Sequence, residues 1–331
     1  MHRFRAYGLA IVSDVHLPEL PPIDSADSPG AGIVEITLVK NESAAELSEP
    51  SQWASRGRGP DGEEWILAGR VPDGFIIRFV DMAEFFIGAD GRVISLRRCA
   101  EDVSPVTLRH LLIDNVLPHA LRLMGVEAIH ATAVETAAGV CAFLGPSGAG
   151  KSTIAAGMAK AGQPAFADDC LVLDTTGETV MVVPAYPGVR LWSDSAAEFD
   201  PGLDVARPVA DYTEKMRLDG GRSHDNFPTD SLPLACIYRL MREGDGETVA
   251  DVPAPSIEQI SPVAALQELI GATFRLETDN PAILRREFII LNEVARRVPM
   301  RRLYVPNDMS MLPAVCAAVL DDVIGGDPTR I

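Results

Sequence analysis

One stretch constrains this 331-residue chain more than any other: Gly145-Pro146-Ser147-Gly148-Ala149-Gly150-Lys151-Ser152. It fits the phosphate-loop (Walker A) pattern G-x-x-x-x-G-K-[ST]. The apolar run Val140–Leu144 reads as a strand before it and Lys151–Lys160 as a helix after it, the context that pattern needs. Each residue type has a reason. Glycines let the backbone turn tightly, so that successive N–H groups can point at phosphate oxygens. The helix start adds a positive dipole end. Lys151 brings a charge toward the β- and γ-phosphates, the Ser152 hydroxyl suits Mg²⁺, and Thr153 extends the nucleotide-binding run. With 27 glycines and four lysines in the chain, chance would produce the pattern in about one such chain in 400. The motif implies a purine nucleoside triphosphate, so ATP and Mg²⁺ are the expected cofactors; these residues do not distinguish ATP from GTP.

A phosphate loop that transfers phosphate needs a second acid. The candidate pair is Asp168-Asp169, inside Ala165–Leu173, an otherwise apolar run that reads as a buried strand. Two carboxylates there would cost several kcal/mol (about 3–5) without a cation or donors. A metal ion and a substrate hydroxyl would compensate, one carboxylate serving Mg²⁺ and the other accepting a proton. Either acid can take either role. His130 sits within Glu127–Glu135, which reads as a single strand, and a lone strand histidine is more often structural than catalytic. His2, His16, His110, His119 and His224 offer no metal spacing.

Composition narrows the class. With 47 Asp and Glu against 29 Lys and Arg the formal charge is −18, which repels phosphate backbones and argues against sequence-independent nucleic-acid binding. Five scattered cysteines read as reduced thiols. No apolar run approaches the roughly 18 residues that span a bilayer, and Met1–Arg5 is followed by too short an apolar stretch for a secretory signal. The expectation is a soluble cytoplasmic protein with no membrane partner.

Two domains are expected: a strand-rich N-terminal one over 1–103, for recognition or assembly, and an α/β catalytic one over 104–331. Short β-rich runs cover Tyr7–Val12, Gly32–Lys40, Trp65–Ala68, Gly74–Val80, Glu84–Ile87 and Arg92–Leu96. Turn formers separate them at Pro21-Pro22, Pro29-Gly30, Gly59–Gly62, Pro72–Gly74 and Asp90-Gly91. Without helices between them, an antiparallel sheet is expected. Ser104-Pro105 opens a helix, Pro118 predicts a kink in it and Gly125 ends it. Further strands are expected at Thr179–Val183, helices at Pro262–Leu269, Pro281–Arg296 and Met309–Ile324, and loops over 194–232, including Lys215.

His130, the loop 145–152 and Ala167-Asp168-Asp169, in this order and spacing, resemble the catalytic domain of the HPr kinase/phosphorylase family, which is related in fold to phosphoenolpyruvate carboxykinase. The likeness is clear over about residues 127–175. It implies that His130 belongs to the site and that the aspartates supply a Mg²⁺ contact and the base that activates a serine hydroxyl. Thr153 stands where the bifunctional enzymes carry an acid. Pro184-Ala185-Tyr186-Pro187-Gly188-Val189-Arg190-Leu191-Trp192 stands where they carry E-[IV]-R-G-x-G. These departures count against phosphate removal and against HPr as the first choice of substrate. The Tyr186–Trp192 run, an N-terminal part with Tyr7-Gly8-Leu9, Ser13-Asp14 and Leu17–Leu20, and Arg302–Pro306 are similar to a divergent branch that includes lasso-peptide precursor kinases.

The resemblance implies a kinase that moves the γ-phosphoryl group of ATP to a serine of a peptide or small protein, most narrowly the C-terminal serine of a lasso-peptide precursor. Arg190 is a candidate phosphate or transition-state ligand, because guanidinium matches phosphate bidentately, and Lys215 a candidate to close over the nucleotide. The alternatives are an HPr or small-molecule hydroxyl kinase of the same fold and, in a different class, an ATP-binding regulatory module without transfer. The family's hexamers permit a homo-oligomer here.

Overall fold

The computed structural model describes residues 1–23, 33–38, 50, 52–58, 62–199, 206–242, 252–275 and 280–325, with backbone alone at 38 and 54–56. The chain is a mixed α/β protein that packs as two compact units. The first is Met1–Ala128 with Pro208–Glu214 and Phe274–Arg285; the second is Ile129–Arg207 with Lys215–Thr273 and Arg286–Ile331.

The first unit is built on eight strands: β1 (His2–Ala6), β2 (Leu9–Ser13), β3 (Ile33–Leu38), β4 (Trp53–Arg58), β5 (Glu64–Val71), β6 (Gly74–Phe79), β7 (Ala83–Gly88) and β8 (Val93–Arg98). They lie in the order β1-β2-β3-β8-β7-β6-β5-β4. The sheet is mixed, not antiparallel throughout as expected, because β3 inserts parallel to both β2 and β8. The Tyr7–Val12 run is also corrected. Tyr7 and Gly8 have φ of 56° and 72° and form the turn of the β1–β2 hairpin, so the strand begins at Leu9. Edge strand β4 went unpredicted because Trp53–Arg58 lacks apolar alternation; its pairing with β5 holds it. The turns at Pro72-Asp73 and Asp90-Gly91 connect hairpins as expected. Pro29-Gly30, Gly59–Asp61 and Lys40 lie outside the described residues. Glu84 is fully buried in this sheet and faces Arg78 and Arg97 on the flanking strands, at 2.6 and 2.7 Å.

The helical segment is α1 (Pro105–His110), a π turn over Leu111–Val116 and α2 (Leu117–Met124). Ser104 caps it by accepting a hydrogen bond from the Thr107 N–H, and Gly125 closes it at φ 90°. Where a kink is expected at Pro118, the helix carries a π turn just before the proline. Pro118 has no N–H for the preceding turn, and the Leu117 N–H donates instead to the Leu112 carbonyl.

The second unit holds the loop. After β9 (Glu127–Ile129) come β10 (Thr132–Thr136), β11 (Gly139–Leu144), α3 (Lys151–Lys160), β12 (Ala165–Ala167), β13 (Leu171–Asp174), β14 (Met181–Val183), β15 (Val189–Trp192), α4 (Ser193–Glu198), β16 (Arg207–Pro208), β17 (Lys215–Leu218), β18 (Leu232–Met241), β19 (Ser256–Gln259), α5 (Pro262–Gly271), α6 (Pro281–Arg297), β20 (Met300–Tyr304) and α7 (Leu312–Gly325). The sheet runs β12-β10-β11-β18-β14-β13. Strand β18 lies parallel to both β11 and β20. Helix α3 packs its Ile154, Ala155 and Met158 into a core with Phe143, Tyr238, Leu303, Val315 and Val319. Gly157 lets α7 come close, since a Cβ there would meet Leu312 and Cys316 at 3.0–3.1 Å. Parts of 194–232 expected as loops are α4, β17 and a 3₁₀ turn at His224–Asn226. These short charged pieces have no periodicity to read, and β17 is held by its ladder to β15. Residues 200–205 lie outside the described residues. No helix among the described residues is long and apolar enough to cross a membrane.

Candidate functional site

The loop arises where a fully buried strand end meets a helix start. Strand β11 runs through Phe143 and Leu144 into Gly145, and α3 begins at Lys151. Gly148 and Gly150 have φ of 87° and 95°, backbone that favours glycine. A Cβ on Gly145 would lie 2.9 Å from that of Ala149. Gly150 is the N-cap of α3 and gives it no capping side chain, so the first-turn amides are available to an anion. Lys151 is buried and donates to the Gly145 and Pro146 carbonyls at 2.8 and 3.2 Å. Burial lowers its pKa, while Asp169 and Asp168 act against that.

The acids do not sit within a strand, as the apolar flanks imply. The run 165–173 breaks between β12 and β13, and the break is Asp168-Asp169-Cys170, with Asp169 in left-handed backbone at φ 64°. Aspartate tolerates that region better than most residues do, and the two side chains take different environments. Asp168 is buried and fully engaged. Its Oδ1 accepts from Thr132 Oγ1 at 2.6 Å and from Ser152 Oγ at 2.9 Å; its Oδ2 accepts from the Arg190 N–H at 2.7 Å. Burial and the neighbouring Asp169 push its carboxyl pKa up, and Arg190 and Thr132 oppose them. The Asp169 side chain is 19% exposed, with Oδ2 3.5 Å from Arg190 Nη1 and Oδ1 3.9 Å from His130 Nε2.

His130 is likewise not mid-strand. The run 127–135 divides into β9 and β10 with His130 in the bend, because its N–H donates to the Ala272 carbonyl at 2.6 Å and Ile129 bridges Thr273. Burial lowers the imidazole pKa although Asp169 pulls it up.

Arg190, on β15, is buried against the acids. Its Nη1 lies 3.4 Å from Asp168 Oδ2, and its Nη2 donates to the Tyr186 hydroxyl at 2.5 Å. The guanidinium therefore clamps both carboxylates. Lys215 heads β17 and is not in a loop; it pairs in register with Trp192 and lies 5.4 Å over its ring. Its charge adds a little to the lowering of the Lys151 and His130 pKa values, which burial dominates. Thr153 lies in the first turn of α3, half-buried.

The second unit thus brings together His130, the loop, Ser152, Asp168, Asp169 and Arg190. Sequence reasoning missed Thr132; a buried threonine two residues past His130 on an apolar strand was the available signal. The oxygen donors fit Mg²⁺. Ser152 Oγ and Asp168 Oδ1 are 2.9 Å apart, and Mg²⁺ in phosphate sites takes one or two protein oxygens and completes its shell with phosphate and water. No group of three or more His, Cys, Asp or Glu able to hold a metal occurs among the described residues.

No protein-family model matches the sequence, and no curated protein sequence matches it either. Among solved structures, the chain is similar to the Hpr(Ser) kinase/phosphatase from Coxiella burnetii, at 11% identity and a TM-score of 0.34, over 59% of this chain and 87% of that one.

Proposed function

We propose that this protein is an ATP-dependent kinase that phosphorylates a hydroxyl group, with a serine of a peptide or small protein as acceptor. The observation that carries the reading is the pair of acids set in two environments at the mouth of one phosphate loop. Asp168 is hydrogen-bonded to the loop's own Ser152, and Asp169, partly exposed, lies beside His130 and Arg190.

In this mechanism the loop amides and Lys151 grip the phosphate chain, Lys151 exchanging its carbonyl partners for phosphate oxygens. Mg²⁺, held by Ser152 and Asp168, would neutralise charge on the β- and γ-phosphates. Asp169 accepts the proton of the attacking hydroxyl as its oxygen bonds to the γ-phosphorus and the bond to the β-phosphate oxygen breaks. His130, its Nε2 3.9 Å from that carboxylate, gives it a polar neighbour. Arg190 keeps both carboxylates aimed. The narrower acceptor, a lasso-peptide precursor ending in serine, is supported by the sequence resemblance of Tyr186–Trp192 and Arg302–Pro306.

The test is incubation of the purified chain with ATP, Mg²⁺ and a panel of serine peptides, including ones with C-terminal serine, read by mass spectrometry. A phosphopeptide formed by wild type and not by Lys151→Ala supports the kinase. ATP binding with no transfer to any peptide, protein or small hydroxyl acceptor would return the chain to a regulatory module.

A further inference from the structure

Strand β18 runs parallel beside β11, and their ladder ends with Leu144 opposite Arg239. Both strands therefore deliver the chain beyond them to the same edge of the sheet, the carboxyl edge at which ligands bind in open parallel sheets. Strand β11 leads there into the phosphate loop. Strand β18 ends at Met241 and leads into Arg242. The Arg242 guanidinium lies broadside to Gly150: a Cβ built there would be 3.3 Å from Cζ, 3.3 Å from Nη2 and 3.6 Å from Nη1. Arg239, on the same strand, donates to Glu268 at 2.8 Å and to the Leu240 carbonyl at 2.6 Å.

Three positive features border the loop: the start of α3 at Gly150, the Arg242 guanidinium beside that glycine, and the Lys151 ammonium on the Gly145 and Pro146 carbonyls. Cations at a helix N-terminus are unfavourable in themselves and become favourable around an anion. A planar guanidinium beside a glycine, where backbone can approach a ligand, is the geometry for bidentate contact with phosphate oxygens.

We propose that Arg242 is a further phosphate-binding residue of this site, its guanidinium contacting the polyphosphate chain of the bound nucleotide. This rests on the nucleotide reading of the loop and adds to it a specific ligand delivered by a different strand. It also gives Gly150 a second requirement beyond its φ, since a side chain there would fill the space between loop and guanidinium.

The experiment measures equilibrium binding of ATP and of inorganic triphosphate, at fixed Mg²⁺, to wild type, Arg242→Gln, Arg242→Lys and Lys151→Ala. Unliganded thermal midpoints are recorded alongside. Wild type is expected to bind both ligands. Arg242→Gln keeps the bulk and loses the charge, and should weaken both ligands about 10- to 100-fold, the range for a hydrogen-bonded charge, with its unliganded midpoint unmoved. Arg242→Lys should recover part of the loss. Unchanged binding by Arg242→Gln while Lys151→Ala is impaired would overturn the proposal and leave the nucleotide reading standing. Loss for ATP without loss for triphosphate would overturn it too, moving Arg242 to the sugar or base. Wild type that binds neither ligand would sink the nucleotide reading itself.

Discussion

Ser152 and Asp168 stand 16 positions apart in the chain and 2.9 Å apart in space, a hydroxyl at the head of α3 donating to a carboxylate in the break between β12 and β13. The same carboxylate oxygen accepts from Thr132 at 2.6 Å. Asp168 thus ties together β10, the phosphate loop helix and β15, whereas its neighbour Asp169, in left-handed backbone, lies between Arg190 and His130. Two adjacent residues of one type are given separate tasks by their surroundings.

Substituting either acid should separate binding from transfer. Asp168→Asn and Asp169→Asn are each expected to lower transfer by about 10²–10⁴-fold, with metal-free ATP binding retained. Asparagine suits position 169 because it also accepts left-handed backbone. Single-turnover kinetics beside equilibrium binding decide it, and full transfer by both variants would remove the acids from the mechanism.

Removing the clamp should cost stability in a pH-dependent way. Arg190→Met leaves Asp168 buried without its cation, at a cost of about 3–5 kcal/mol at neutral pH. The Asp168 carboxyl, already pushed up by burial, would be pushed further. A carboxyl raised in the folded state holds its proton more tightly there, so stability falls as pH rises through the folded value. Urea midpoints for this variant should therefore be lower at pH 8 than at pH 5, and an equal deficit at both would contradict the clamp.

The buried carboxylate of the first unit can be tested separately. Glu84 has no exposure and is held by Arg78 and Arg97 from the two flanking strands. Glu84→Ala leaves two guanidinium groups beside a cavity, and the expected loss is about 3 kcal/mol. Denaturant unfolding measures it directly, and a change within error of zero would mean that the ion pairs contribute nothing net.

Acid should weaken the first unit through His119. Burial, with Arg122 adding to it, lowers this imidazole to about 3, and the ring lies edge-on to Phe274 with centroids 6.3 Å apart. A histidine depressed in the folded state contributes stability that is present above its ordinary value near 6.5 and lost as pH falls from there toward about 3. The loss should reach about 1–2 kcal/mol by pH 5. His119→Gln is expected to flatten that slope between pH 7 and 5, and an unchanged slope would show that other groups carry it.

Much of the local structure was legible in the sequence. Ser104-Pro105 and Gly125 bracket their helical segment because capping and left-handed closure are local events. Lys151–Lys160 forms its helix over that span for the same reason. The double aspartate was visible as polar residues in an apolar run. Its break was not, because the interruption depends on the donors Thr132, Ser152 and Arg190, brought from other elements. His130 was assigned to a strand because the flanking residues are β-rich. A carbonyl at Ala272, far along the chain, takes its N–H and ends the ladder.

The sequence by itself determined the phosphate loop, the helix behind it and the residue types available for chemistry, since glycine freedom, capping and apolar patterning act over a few residues. Tertiary structure alone decided which acid is buried against Ser152 and Thr132 and which stays partly exposed beside His130, and that Arg190 lies on the carboxylates. It likewise brought Arg242 to Gly150 and inserted β3 as a parallel strand. Those facts depend on contacts between segments distant in the chain, and such contacts are fixed by strand order and packing, which local residue patterns do not encode.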